Sequence, residues 1–234
     1  MHYGGRFFLV AAMVASPVWG VRVQMITLLG LALVWWLLLH WRKHPNSKLI
    51  YCLIPIFLLW ANLHGGFIAG FFLIGLFGTA EIIKIFLAKR GHKFNFPVLA
   101  WQNIGQLIIV GVLAVAVTFI NPYTWRIYQE FYTTVFNDFV RSRIAEWKPV
   151  SLANTQSYNL LVYLLILIIL SVFSWKKLDL TKIIVGFLFI VLAVTSWRNI
   201  PFASLITLPL LVDMLNNITI ANSDYLKRSI LVWM

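Results

Sequence analysis

Trp60-Ala61-Asn62-Leu63-His64-Gly65-Gly66-Phe67 is a short polar hinge between two apolar runs, about 47–63 and 66–88. From Leu49 through Ala80 the chain carries no Asp, Glu, Lys or Arg. Crossing the hydrocarbon of a bilayer takes about 20 apolar residues in a helix. The runs on either side of the hinge therefore read as two membrane-crossing helices that reverse direction at Asn62–Gly66. Similar runs recur along the chain at about 7–20, 23–41, 98–120, 157–175, 180–197 and 199–218. The first also fits a signal peptide, because Arg6 precedes an apolar stretch that ends before Pro17. The expected fold is all-α: one transmembrane domain over residues 1–234, a polytopic helical bundle of about eight spans.

Composition points the same way. Of the 234 residues, 61% are hydrophobic and 11% charged, and the mean hydropathy is +0.87. A soluble domain of this length could not cover so much apolar surface, so lipid is the expected solvent. The formal net charge of +12 would suit nucleic acid if it lined one polar face. It instead sits in clusters between apolar runs, the pattern of cytoplasmic loops. Arg42, Lys43 and Lys48 mark one such loop, Lys89, Arg90 and Lys93 a second, Lys176, Lys177 and Lys182 a third, and Lys227 with Arg228 the C-terminal segment. The turns at 62–66 and 197–199 and the long loop 121–156 then face outward with Arg22, in a multi-pass protein of the cell inner (plasma) membrane. No nucleic-acid partner is expected. The one cysteine, Cys52, excludes a disulfide framework. His40 and His44 have helical spacing but flank Arg42 at a helix end, so no metal site is expected there.

The outer loop has its own pattern. Asn121 is a candidate cap and Pro122 suits a first helical turn. Trp125, Tyr128, Tyr132, Val135 and Phe139 recur at three- and four-residue steps, with Arg126, Gln129, Glu130, Thr133, Asn137 and Asp138 on the other side. This predicts an amphipathic helix over about 123–140, lying in the outer interface.

Four patches join polar residues to span ends on that one side: Arg22-Val23-Gln24, Trp60 to Gly66, Asn121-Pro122-Tyr123 leading to Glu146-Trp147-Lys148-Pro149, and Trp197-Arg198-Asn199-Ile200-Pro201. Polar groups at membrane depth line bundle interiors or aqueous pockets, and convergence on one face suggests a shared cavity. Short turns also use Asn and Gly for their own geometry. Arg198, Arg22 and Arg126, with Arg141 and Arg143, read as phosphate-binding guanidiniums or as solvated loop charges. His64 reads as a proton carrier or hydrogen-bond donor to phosphate, or as a satisfied turn histidine. Glu146, beside Trp147, is a candidate general base or the carboxylate of a structural ion pair. Trp60, Trp125, Trp147 and Trp197 fit an interfacial belt, with sugar stacking as the alternative. Glu81 and Lys84 read as a local pair.

In their order these motifs resemble a bacterial family of polytopic membrane proteins related to the GT-C type glycosyltransferases. The resemblance covers about residues 20–212. It implies functional weight at Arg22, Gln24, Trp60, Asn62, His64, Gly65, Gly66, Asn121, Pro122, Glu146, Trp147, Arg198 and Asn199. It further implies transfer of a sugar from a polyprenyl-phosphate donor at the extracytoplasmic face. Glu146 and His64 would be the catalytic candidates, and Arg22, Gln24, Asn62, Arg126, Trp147, Arg198 and Asn199 would bind substrate. Such enzymes carry an acidic residue in the first outer loop, whereas Pro17–Val23 has Arg22 and no acid. The chain is thus expected to be an N-terminally shortened member, with a divalent metal implied only if that acid lies upstream. The alternative is a non-catalytic membrane transporter or accessory subunit that binds a lipid-linked phosphate.

Overall fold

A computed structural model describes residues 23–151, 155–174 and 177–232, and at 138, 140, 141, 155, 156 and 219–232 it describes backbone only. Among these residues all regular structure is helical. The helices are α1 (Gln24–Lys43), α2 (Leu53–Leu63, entered through a 3-10 turn at Lys48–Cys52), α3 (Phe67–Lys89), α4 (Trp101–Val117), α5 (Arg126–Phe136), α6 (Asp138–Arg143), α7 (Thr155–Ser174), α8 (Leu180–Thr195) and α9 (Ile200–Val232). Seven of the expected apolar runs form helices, and the run at 7–20 lies outside the described residues. Four stretches are long and apolar enough to cross a membrane: Gln24–Lys43, Phe67–Lys89, Ser157–Ser174 and Trp197–Ile218. Lys48–Leu63, Trp101–Val117 and Leu180–Thr195 are apolar but shorter. Among the described residues the chain is thus a helical protein with four helices fit to cross a membrane; they do not clearly give the expected eight, because length alone does not decide whether a shorter apolar helix makes a full crossing.

The long apolar helices each bury a narrow stripe and leave the rest of their apolar surface outward, whereas α5 buries no residue. In α1 the stripe runs through Thr27, Leu31, Val34, Trp35, Leu38, Trp41 and Arg42, and in α3 through Phe67, Gly70, Leu73, Phe77, Glu81 and Lys84. These are the three- and four-residue steps of a helix face. α1 packs against α2, α3 and α9; α3 also meets α4 and α8, and α9 packs on α7 and α8. Ile108, Ile109 and Val112 of α4 and Val162, Ile169 and Phe173 of α7 are exposed, as lipid-facing surfaces should be.

Trp60 does not sit in an interfacial belt. Its ring, 2% exposed, is wedged between α1 and α3, and a Cβ at Gly30 or Gly70 would lie 2.6 or 2.7 Å from it. Side-chain hydroxyls and indoles bind the remaining helices to one another. Trp35 Nε1 donates to Ile206 O over 3.0 Å, Tyr163 and Thr207 share a hydrogen bond of 2.7 Å, and Ser174 Oγ donates to Met214 O over 3.0 Å.

The expected Glu81–Lys84 pair exists, at 3.2 Å, but it belongs to a larger buried network. Arg42 Nη1 donates to Glu81 Oε1 and to Asp179 Oδ1, each at 3.2 Å, and Nη2 is paired with Asp179 Oδ2. Thr181 Oγ1 donates to Glu81 Oε1 over 2.6 Å, and Lys84 Nζ donates to Pro97 O over 2.7 Å. Asp179 also caps α8 by accepting from Thr181 N. Arg42, Glu81, Lys84 and Asp179 are each no more than 2% exposed. Two cations and two anions thus tie α1, α3 and the start of α8 together. Removing one member strands a charge in a medium of low polarity. Asp179→Asn is expected to lower stability by about 3 kcal/mol, read as an earlier midpoint of SDS-induced unfolding in mixed micelles; an unchanged midpoint would show that the network is not structural.

Candidate functional site

At the opposite end of the bundle, the start of α1, the α2–α3 hinge, the start of α5 and the α8–α9 junction enclose a cavity of about 1230 Å³. Its polar lining includes Thr27, Asn62, His64, Arg126, Glu130 and Arg198, and its apolar wall includes Phe72, Phe131 and Leu192. The predicted residues Asn62, His64, Arg126, Trp147, Arg198 and Asn199 all line it. Gln24 and Glu146 do not line it; they are bonded to each other, Gln24 Nε2 donating to Glu146 Oε2 over 3.2 Å. Arg22 lies outside the described residues, as does the side chain of Arg141.

His64 follows the last turn of α2 in an extended conformation (φ −161°, ψ 137°), which turns the chain into Gly65-Gly66 and α3. Its Nδ1 accepts from Gly66 N over 3.0 Å and lies 2.8 Å from Thr27 Oγ1. Because Gly66 N–H must donate, Nδ1 is the unprotonated nitrogen and the ring proton sits on Nε2. Nε2 makes no hydrogen bond to another described residue. Burial, and then the Arg198 guanidinium, hold the imidazole pKa below its ordinary 6.5. Neutral His64 is therefore a donor through Nε2 rather than a second cation beside Arg198. Gly66 is a glycine for steric reasons: a Cβ there would collide with Thr27 Oγ1.

The amides of Asn62 and Asn199 are largely structural. Asn62 Nδ2 donates to Leu58 O and Ile120 O at 2.8 and 2.9 Å, joining α2 to the chain that leaves α4, and Asn199 Nδ2 donates to Leu192 O at the end of α8. Each keeps its carbonyl oxygen as an acceptor.

The segment 145–150 is stitched to the α8–α9 junction. Trp197 Nε1 donates to Ala145 O over 2.6 Å, Ser196 Oγ to Glu146 O over 3.1 Å, Trp197 N to Lys148 O over 3.2 Å and Val150 N to Val194 O over 3.0 Å. This brings two distant patches together and sets the Arg198 guanidinium 5.4 Å from the Trp147 ring centroid, a cation–π contact. Trp147 Nε1 is buried and has no hydrogen-bond partner among the described residues.

The outer-loop helix departs from expectation. Asn121 does not cap it: Asn121 Oδ1 accepts from Tyr123 N over 2.7 Å in an Asx turn, and its amide donates to Thr118 O and Thr124 O. Thr124 takes a left-handed backbone (φ 51°), so the helix starts at Arg126 and Pro122 precedes it. It stops at Asn137, whose Oδ1 accepts from Phe139 N, and the chain restarts as α6. The predicted apolar side is also divided: Tyr128 packs edge-on against Phe67 and stacked on Phe119, while Tyr132 and Phe139 are exposed and Val135 lines the cavity. Glu130, expected on the solvated face, is the one carboxylate lining the cavity among the described residues. Thr27 was also missed; a threonine in an otherwise apolar run, one turn beyond Gln24, was the available signal.

No described group of three or more His, Cys, Asp or Glu side chains comes together. The described residues therefore supply no set of side chains that fits a metal centre. No family model, curated protein or solved structure matches the chain.

The lowered His64 pKa fixes the sign of a pH effect. The fold favours neutral imidazole, so His64 contributes fully above pH 6.5 and its contribution is lost as pH falls toward the lowered folded value. Thermal stability in detergent should decline between pH 7 and pH 5 in the wild type and decline less in His64→Gln; parallel curves for the two proteins would refute this.

Proposed function

We propose that the chain is a GT-C-like membrane glycosyltransferase, or part of one, that binds a polyprenyl-phosphate-linked sugar at the extracytoplasmic face of the plasma membrane and transfers the sugar. The observation that carries this reading is the single cavity in which Arg126, Arg198 and neutral His64 meet an apolar wall. An amphiphile with an anionic head has that chemistry: guanidiniums match phosphate oxygens by paired N–H donors, and the wall accepts hydrocarbon. The positive-inside distribution of Lys and Arg supports the orientation.

In this reading Arg198 and Arg126 bind phosphate, and the Trp147 face holds the Arg198 guanidinium in place. His64 Nε2–H donates to a phosphate or sugar oxygen. Donors aimed at a departing lipid phosphate would stabilise the charge that develops on it. Glu146, bonded to Gln24, positions the turn that carries Trp147. Glu130 is the carboxylate with access to an acceptor hydroxyl. That Glu146 is engaged outside the cavity favours a second reading, a non-catalytic subunit or transporter that holds a lipid-linked phosphate.

Arg198→Ala should weaken binding of a polyprenyl phosphate by about 30-fold, the worth of a charge-assisted contact, while leaving membrane insertion unchanged; wild-type affinity in that variant would sink the proposal. Sugar transfer by the wild-type protein, lost in Glu130→Gln with lipid binding retained, would separate the enzyme from the binding subunit.

A further inference from the structure

A second, smaller cavity of about 310 Å³ lies at the end of the bundle away from the large one, between the last turn of α1, the first turns of α8 and the middle of α9. Its charged lining is Arg42, Lys43, Lys182 and Asp213, and its apolar side includes Leu39 and Pro209. Lys182 pairs with Asp213 and also lies 3.4 Å from Pro209 O, so that acid is already neutralised. Lys43 is exposed at the mouth. Arg42 uses Nη1 and Nη2 on Glu81 and Asp179, yet its Nε, in a side chain 2% exposed, has no hydrogen-bond partner among the described residues. A buried guanidinium N–H left without an acceptor is costly, and here it belongs to a residue that lines a cavity with three cations and one acid in its wall.

We infer that this cavity is a binding site for the phosphodiester headgroup of an anionic phospholipid. The phosphate completes the hydrogen bonding of Arg42, Lys43 supplies charge at the mouth, and the acyl portion runs along Leu39 and Pro209. Basic recesses between transmembrane helices suit this ligand class because charge and hydrocarbon are recognised within a few ångströms of each other. A free inorganic anion offers the same phosphate chemistry but leaves the apolar side uncovered. The inference does not depend on the function of the large cavity.

The test uses the full chain in nanodiscs of phosphatidylcholine with increasing phosphatidylglycerol, reading lipid retention by native mass spectrometry and thermal stability in parallel. The wild type should retain phosphatidylglycerol selectively and melt later as its fraction rises. Lys43→Gln should retain it about fivefold less well, the effect of one removed charge, with unchanged stability in pure phosphatidylcholine. Lys48→Gln, which removes an exposed charge outside the cavity, should behave as wild type. Equal losses in Lys43→Gln and Lys48→Gln would reveal diffuse surface attraction and overturn the site, as would equal retention of phosphatidylcholine. Displacement of the lipid by millimolar inorganic phosphate would overturn the lipid as its occupant.

Discussion

The four buried charges at Arg42, Glu81, Lys84 and Asp179 constrain everything else in the bundle. Apolar side chains can slide past one another in lipid at little cost, because hydrocarbon outside the protein is as good a solvent as hydrocarbon inside it. Charges cannot slide. Joined by Arg42, the end of α1, the Glu81 turn of α3 and the start of α8 are held at one level. Fifteen positions separate Arg42 from Thr27, and fifteen separate Glu81 from Gly66, about 22 Å of helical rise in each case. The α8 helix runs a similar distance from Asp179 to Ser196. The far ends of three helices therefore arrive at the same height, and there Thr27, His64, Gly66 and Ser196 meet around the large cavity.

At that height the chain uses few long side chains and many backbone ties. Asn62, Asn121 and Asn199 spend their amides on carbonyls, and the 145–150 segment is fastened to the α8–α9 junction by four hydrogen bonds. The groups left facing the cavity include two guanidiniums, a neutral imidazole, an indole and the Glu130 carboxylate. Such an arrangement is preorganised: the donors are oriented before any ligand arrives. Loss of the His64–Gly66 hydrogen bond would free the ring to rotate, so the tight approach of Gly66 to Thr27 matters to the electrostatics as well as to the packing.

Much of this was legible in the sequence, and the gaps have physical causes. Apolar runs gave the helices and their borders to within a few residues for α1, α3 and α8 because a helix in lipid has to be apolar all round. How many of them fully cross the membrane was less legible, since α2, α4 and α8 are apolar without being long. The polar patches could be picked out because Asn62, His64, Trp147 and Arg198 are unusual beside spans. Their detailed partners were hidden: only the tertiary fold brings Gln24 to Glu146, 122 positions away. The Asx turn at Asn121 mimics an N-cap signal at the sequence level, and a left-handed Thr124 has no sequence signature of its own. Glu130 is exposed, as its place on the polar face implies, and it also borders the cavity; amphipathic periodicity reports polarity and does not reveal which site a polar face adjoins.

The short helices bear on the surroundings as much as on the protein. Sixteen residues in α8 and seventeen in α4 rise only about 24–26 Å, less than the ~30 Å hydrocarbon of an average bilayer, whereas α3 with twenty-three residues exceeds it. Helices of unequal rise ask different thicknesses of a surrounding bilayer: a short one that faces lipid would be met by thinning, and one as long as α3 by tilt or local thickening. Acyl-chain length would then be a variable of the surroundings that bears on how such a set of helices sits in a bilayer.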